Sequence, residues 1–144
     1  MAWDELAVAD SIWGQGDGPT RARILLLQGC FALEKDEHRE AMRRHEESAR
    51  LYKADGHVHH QAMAELNLGI SLVATQRIHE AQIILQKCLE VFEGHQDHKH
   101  SAYAITELAY GHFALGEYSQ VLDLCADSLG RLLGDTSSLE RLEI

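Results

Sequence analysis

Ala22, Ala62 and Ala102 stand forty residues apart, and the segments that follow them read as three copies of one helix-turn-helix unit. At that offset Gly29 falls on Gly69, Glu40 and Ala41 on Glu80 and Ala81, Ala64 on Ala104, Leu68 on Leu108, Leu89 on Leu129, and His60 on His100. A fixed period of this length marks an array of supersecondary units, each too small to bury its own apolar face and therefore stacked on its neighbours. The expected fold class is all-α, an α-α superhelix of antiparallel helix pairs. A single proline, Pro19, and few strand-favouring residues leave little means of building a sheet.

The period divides the chain into one repeat domain. Residues 1–19 are a partial preceding unit and a loop, 20–61, 62–101 and 102–135 are three full units, and 136–144 are a cap or the stub of another. Trp3 to Trp13 carries a broad apolar stripe and stops at Gly14-Gln15-Gly16-Asp17-Gly18, after which Pro19 suits a first helical turn. The spacing predicts helices over Arg21 to Glu34 and from the N-cap Asp36 to about Ala54, with Gly56 as the stop. It then predicts His60 to Thr75 and Ile78 to Glu93, parted near Gln76 and ended by Gly94. The third unit runs from Lys99 to Leu115 and from Tyr118 to Leu133, with turns at Gly116 and Gly134. Ser137 and Glu140 make a capping-box pattern for a short terminal helix.

The formal charge of −10 opposes nucleic acid and anionic membrane surfaces, because no concentrated basic patch overrides it. Eight of the 13 Lys and Arg residues lie between Arg21 and Lys53, interleaved with acids, as on an ion-paired, solvated helix surface. From Ala102 to Glu140 only Arg131 opposes six acids, so a neutral or positive partner meets least resistance at that end. The three cysteines are widely spaced and lack a CxxC pair, which fits a reducing cytoplasm better than a disulfide framework. No signal peptide opens the chain and no apolar run approaches the roughly 18 residues of a membrane span.

Leu68-Gly69, Leu72, Ile78, Ala81, Leu85 and Cys88 in the second unit, with Leu108-Ala109, Gly116, Tyr118, Val121 and Ser128 in the third, resemble the tetratricopeptide repeat family in its forty-residue form. The first unit keeps Gly29, Ala32, Ala41 and Ser48 but carries Gln28 and His45 where the family prefers apolar side chains. The resemblance implies a right-handed superhelix of about three and a half units. It also implies a concave groove lined by the first helix of each unit: Arg23, Leu26, Cys30, Leu33 and Glu34, then Met63, Leu66, Ile70 and Val73, then Tyr103, Thr106, Tyr110 and Phe113. That stripe is apolar and partly aromatic, suited to an amphipathic helix or an extended apolar segment. Core packing against neighbouring helices is the competing reading of the same side chains. The family's clamp for acidic C-terminal peptides needs basic and amide groups where this chain has Leu26, Cys30, Asn67, Tyr103 and Glu107. Only Asn67 fits, and Glu107 repels such a ligand.

Six of the ten histidines fall in two equivalent inter-unit loops: His57, His59 and His60, and His95, His98 and His100. The sequence assigns no metal site, since these loops hold no cysteine and match no zinc-finger spacing. Were the edge to hold an ion, His57, His60, His98 and His100 are the candidates; a pH-responsive edge is the other active role for them. His45-Glu46 and His79-Glu80 begin an HExxH motif, but Ala49 and Ile83 stand where its second histidine belongs. Phosphate loops and nucleophile elbows are absent from the sequence, and Cys30, Cys88 and Cys125 sit on apolar helix faces. The expectation is therefore a protein with no catalytic residues and no cofactor, acting as a scaffold that binds another protein or peptide segment. Family members with this period often form the regulatory part of larger bacterial transcription regulators and signalling ATPases. The alternative is a self-assembling module, a homo-oligomer without a foreign ligand.

Overall fold

The computed structural model describes residues 17–140, the last ten as backbone. The stripe at Trp3 to Trp13 and the tail at 141–144 lie outside the described residues. Six helices follow one another: α1 Gly18–Glu34, α2 His38–Ala54, α3 Val58–Ala74, α4 Ile78–Gly94, α5 His98–Ala114 and α6 Tyr118–Glu140. Each packs against the next, α1 also meets α3, and α3 also meets α5, so pairs stack on pairs as an all-α repeat superhelix. No strand occurs among the described residues, and no helix of theirs is long and apolar enough to cross a membrane.

The first five helices are each 17 residues long and separated by three-residue turns, so the true structural step is half the sequence period. Asp36, Gly56, Gln76, Gln96 and Gly116 all take positive φ, between 54° and 75°. Around each, the following N–H reaches back to a carbonyl of the last turn: Glu37 to Ala32, His57 to Tyr52, Arg77 to Leu72, Asp97 to Phe92 and Glu117 to His112, at 2.8–2.9 Å. This left-handed cap satisfies the orphan carbonyls of one helix while its last residue starts the next.

That mechanism corrects several expected boundaries. Asp36 is the left-handed turn residue and Glu37 the N-cap, without a side-chain cap bond. Gly94 is the last residue of α4, and Gln96 makes the turn that Gly94 was expected to make. α6 runs on through Gly134 to Glu140, so Ser137 and Glu140 extend that helix instead of capping a separate one. Pro19 does sit in the first turn of α1, whose N-cap Asp17 accepts from the Thr20 N–H at 2.9 Å.

Glycine permits the closest crossing within the first two pairs. A Cβ on Gly69 would lie 2.6 Å from Leu85 Cδ2, and one on Gly29 would collide with the His45 ring. The core is centred on the second unit, where Leu85, Cys88 and Phe92 are wholly buried between Leu66 and Leu72 on one side and Ala104 and Leu108 on the other. Ion pairs such as Arg43–Glu40, Arg44–Glu40 and Arg77–Glu80 occupy the outer surface, as the interleaved charges predicted.

Candidate docking groove and histidine edge

Between α5 and α6 an open apolar groove of about 500 Å³ is walled by Thr106, Ala109, Tyr110 and Phe113 from one helix and by Val121, Cys125, Ser128 and Leu129 from the other. Tyr110 and Phe113 are each 61% exposed, and Leu122 on α6 is 70% exposed. The spacing of Thr106, Ala109, Tyr110 and Phe113 puts them on one helical face, where long side chains three and four apart lie over one another. Phe113 also meets the ring of Tyr118 edge-on, with centroids 5.6 Å apart.

The register explains why this groove is open. Forty residues earlier its walls read Leu66, Gly69, Ile70 and Val73 on α3 and Ala81, Leu85, Cys88 and Leu89 on α4. There α5 packs against both helices, and Leu66, Gly69, Ala81, Leu85, Cys88 and Leu89 are buried. Another forty back, α3 covers Gly29, Ala41, His45, Ser48 and Ala49 in the same way. Even the repeated alanines follow this rule, since Ala22 and Ala62 are buried and Ala102 is exposed. No described helix follows α6, so the third unit presents its stacking face uncovered.

The residues assigned to a concave groove divide between these environments. Thr106, Tyr110 and Phe113 line the open groove and Tyr103 is exposed nearby on α5. In the second unit Leu66 is buried, Met63 and Val73 pack on the central core, and Ile70 is half-buried. In the first, Leu26, Cys30 and Leu33 are half-buried while Arg23 and Glu34 are exposed. The α6 wall was absent from the expected set; the match of Leu89 to Leu129 and of Cys88 to Ser128 is the sequence signal that places it.

Acidic groups dominate this end. Glu117 holds His112 Nδ1 at 2.6 Å, and Asp123 and Asp127 are exposed on α6. Burial raises the Glu107 carboxyl on α5 above its ordinary value. Cys125 is exposed in the groove, unlike Cys88, whose thiol burial pushes up to about 12. Cys30 is half-buried, and its thiol is raised by burial and then by Glu34. Neither raised thiol has the thiolate character of a nucleophile.

A second cluster lies along the edge formed by the turns. His59 Nε2 and His100 Nδ1 lie 2.7 and 2.6 Å from the same oxygen, Asp97 Oδ2. Asp97 is the N-cap of α5, and its other oxygen accepts from the His100 backbone N–H at 3.1 Å. Burial acts to raise its carboxyl, but the His100 N–H and the two imidazoles outweigh this and hold it at about 2. Of the metal candidates read from the sequence, only His100 belongs to this cluster. His57 and His60 border a separate hollow with Arg23 and Tyr52, and His98 is exposed. His59 and Asp97 were missed because only the stacking of α5 on α3 brings residues 38 apart into contact.

The two departures of the first unit are buried. Gln28 accepts from the Arg44 guanidinium, and His45 fills the space over Gly29, with its Nε2 4.0 Å from Cys30 Sγ. Asn67, the one residue suited to an acidic-tail clamp, donates to Cys30 Sγ at 3.5 Å. No protein family and no curated protein matches this chain.

Proposed function

We propose that this chain is a non-catalytic protein-interaction scaffold that receives an amphipathic helix of another protein in the groove between α5 and α6. The observation that carries this reading is the internal template: the register-equivalent face of the second unit is covered by a helix, α5. That template also specifies the ligand. The buried face of α5 is Ser101, Ala104, Ile105, Leu108 and Gly111, small residues around a central leucine, and α3 buries Ala64, Leu68 and Ser71 at matching positions. A partner helix with small residues at i, i+3 and i+10 and leucine at i+7 suits the groove, with Tyr110 and Phe113 closing over its rim. Basic flanks complement Glu107, Glu117, Asp123 and Asp127. The resemblance to tetratricopeptide repeats supports the same class of function, and a regulatory role within a larger bacterial protein belongs with that resemblance.

The test uses a labelled peptide spanning residues 98–114, the helix that covers the equivalent face. Saturable binding by fluorescence anisotropy is expected, with loss in Val121→Asp and no change in Ile83→Asp, an exposed position on α4. A dilution series by light scattering accompanies it. Self-association that Val121→Asp disperses, without peptide binding, transfers the groove to a second copy of the chain.

A further inference from the structure

The histidine edge carries a separate inference, independent of the groove. We propose that His59, Asp97 and His100 form a site for a divalent ion of the zinc class, clamping the first turn of α3 to the start of α5. One donor atom from each of the three residues falls within 4.8 Å of the other two, and His59 Nε2 and His100 Nδ1 both lie against Asp97 Oδ2. A tetrahedral ion with bonds of roughly 2.1 Å places its ligands about 3.4 Å apart, so the Asp97 oxygen needs to retreat by less than about 1 Å from each imidazole.

The donor set selects the ion. Two imidazoles and one carboxylate suit Zn²⁺ and its neighbours Co²⁺, Ni²⁺ and Cu²⁺; Ca²⁺ and Mg²⁺ prefer all-oxygen sets. Three protein ligands leave a fourth position for water or for a donor from outside the chain. With both imidazoles neutral the site carries one negative charge, and the −10 of the whole chain adds to its attraction for a cation.

Support around the ligands distinguishes this cluster from loose loop histidines. The His100 N–H fixes Asp97 through its second oxygen at 3.1 Å, as outer-shell donors orient metal-binding carboxylates. Phe92, wholly buried, walls the site from below, its ring centroid 5.8 Å from that of His59 and 5.2 Å from that of His100. His95 stacks on His59 at 4.9 Å and 11° and holds the ring from the outer side. All three ligands are partly buried, with side-chain exposures of 33%, 15% and 23% for His59, Asp97 and His100.

The preceding junction supplies an internal control. Forty residues earlier the three positions are Pro19, His57 and His60, and the Arg23 guanidinium adds a positive charge to that hollow. The fold therefore builds both junctions from the same turn, and only one carries a complete ligand set. Because an ionised carboxylate only accepts, the donor nitrogens of His59 and His100 carry hydrogen toward Asp97 when they bond to it. On coordination each neutral ring keeps its single proton on the other nitrogen, and an imidazolium ring releases one proton to solvent.

The experiment titrates Zn²⁺ into the chelator-treated full chain by calorimetry, follows thermal unfolding with and without the ion, and records the visible spectrum with Co²⁺. Saturable one-to-one binding, a higher Tm and the intense spectrum of four-coordinate cobalt are expected. His59→Gln and His100→Ala should each weaken Zn²⁺ by about 10-fold or more. Circular dichroism first confirms that each variant is helical, and His59→Gln retains an amide that can still donate to Asp97. The double control His57→Ala with His98→Ala should bind within about 2-fold of wild type, since it removes histidines outside the set. Absence of saturable binding, equal affinity in wild type and both ligand variants, or loss of binding in the control would each overturn the site.

Discussion

The outer face of the second unit and the outer face of the third are the same surface in different states. Leu89 and Leu129 are register-equivalent leucines, yet the first is 6% exposed and the second 57%. The difference lies in the covering helix, since α5 closes the second unit and no described helix closes the third. Apolar burial in such an array is thus set by neighbours more than by residue type, which follows from units that cannot bury their own faces. Leu89→Ala should destabilise the chain by about 3–4 kcal/mol, as buried Leu→Ala changes do, and Leu129→Ala by about 0.5 kcal/mol or less. Urea unfolding measures both. Similar losses at the two sites would mean that the third face is covered in solution, for instance by another copy.

A second contrast, between the first and second unit, concerns His45 and Leu85, which occupy the same place over Gly29 and Gly69. Both are wholly buried. Burial pushes the His45 imidazole down to about 4, and the Leu26 backbone offsets only part of this. An unfolded histidine titrates near 6.5, so below that pH the unfolded chain binds a proton that the folded chain refuses. Stability present at neutral pH is therefore lost from about pH 6.5 downward until the folded value near 4 is passed, and the full loss is about 3 kcal/mol. His45→Leu copies the second unit and should flatten this part of the curve while raising stability at pH 5. Chemical denaturation at pH 7, 6, 5 and 4 checks it; an unchanged slope in the variant would assign the acid sensitivity to other groups.

Much of the fold was legible because a forty-residue period repeats small and apolar residues at fixed places. Gly29, Gly69, Leu85 and Leu89 reveal which faces cross and which stack. The turns were harder. Asp36, Gln76 and Gln96 adopt the left-handed conformation normally signalled by glycine, so Gly94 drew the expected stop two residues early. The α5 wall of the groove, Thr106, Tyr110 and Phe113, was among the positions that the family resemblance implies, whereas the α6 wall required knowing that nothing described stacks beyond it. For the histidine edge, composition located the loops but not the convergence. His59, Asp97 and His100 meet only because α3 and α5 start beside each other, and the decisive ligand is an aspartate that a count of histidines passes over.

The smallest expected effect tests whether the internal and terminal units tolerate the same turn chemistry. Gln76, at φ 64°, joins α3 to α4 within the second unit, and Gly116, at φ 75°, joins α5 to α6 within the third. A left-handed glutamine carries steric strain from its Cβ that glycine lacks, while glycine adds freedom to the unfolded chain. The two terms oppose each other, and relief of strain exceeds the entropy cost by about 0.5 kcal/mol. Gln76→Gly should therefore raise stability slightly and Gly116→Gln should lower it by a similar amount. Both positions are exposed, so no packing change confuses the comparison. If Gln76→Gly destabilises the chain, the strain at the internal turn is balanced by contacts of the glutamine itself, and the two turns are not equivalent. If only Gly116→Gln is silent, the last pair unfolds separately from the rest, as weakly coupled terminal units of a one-dimensional array do.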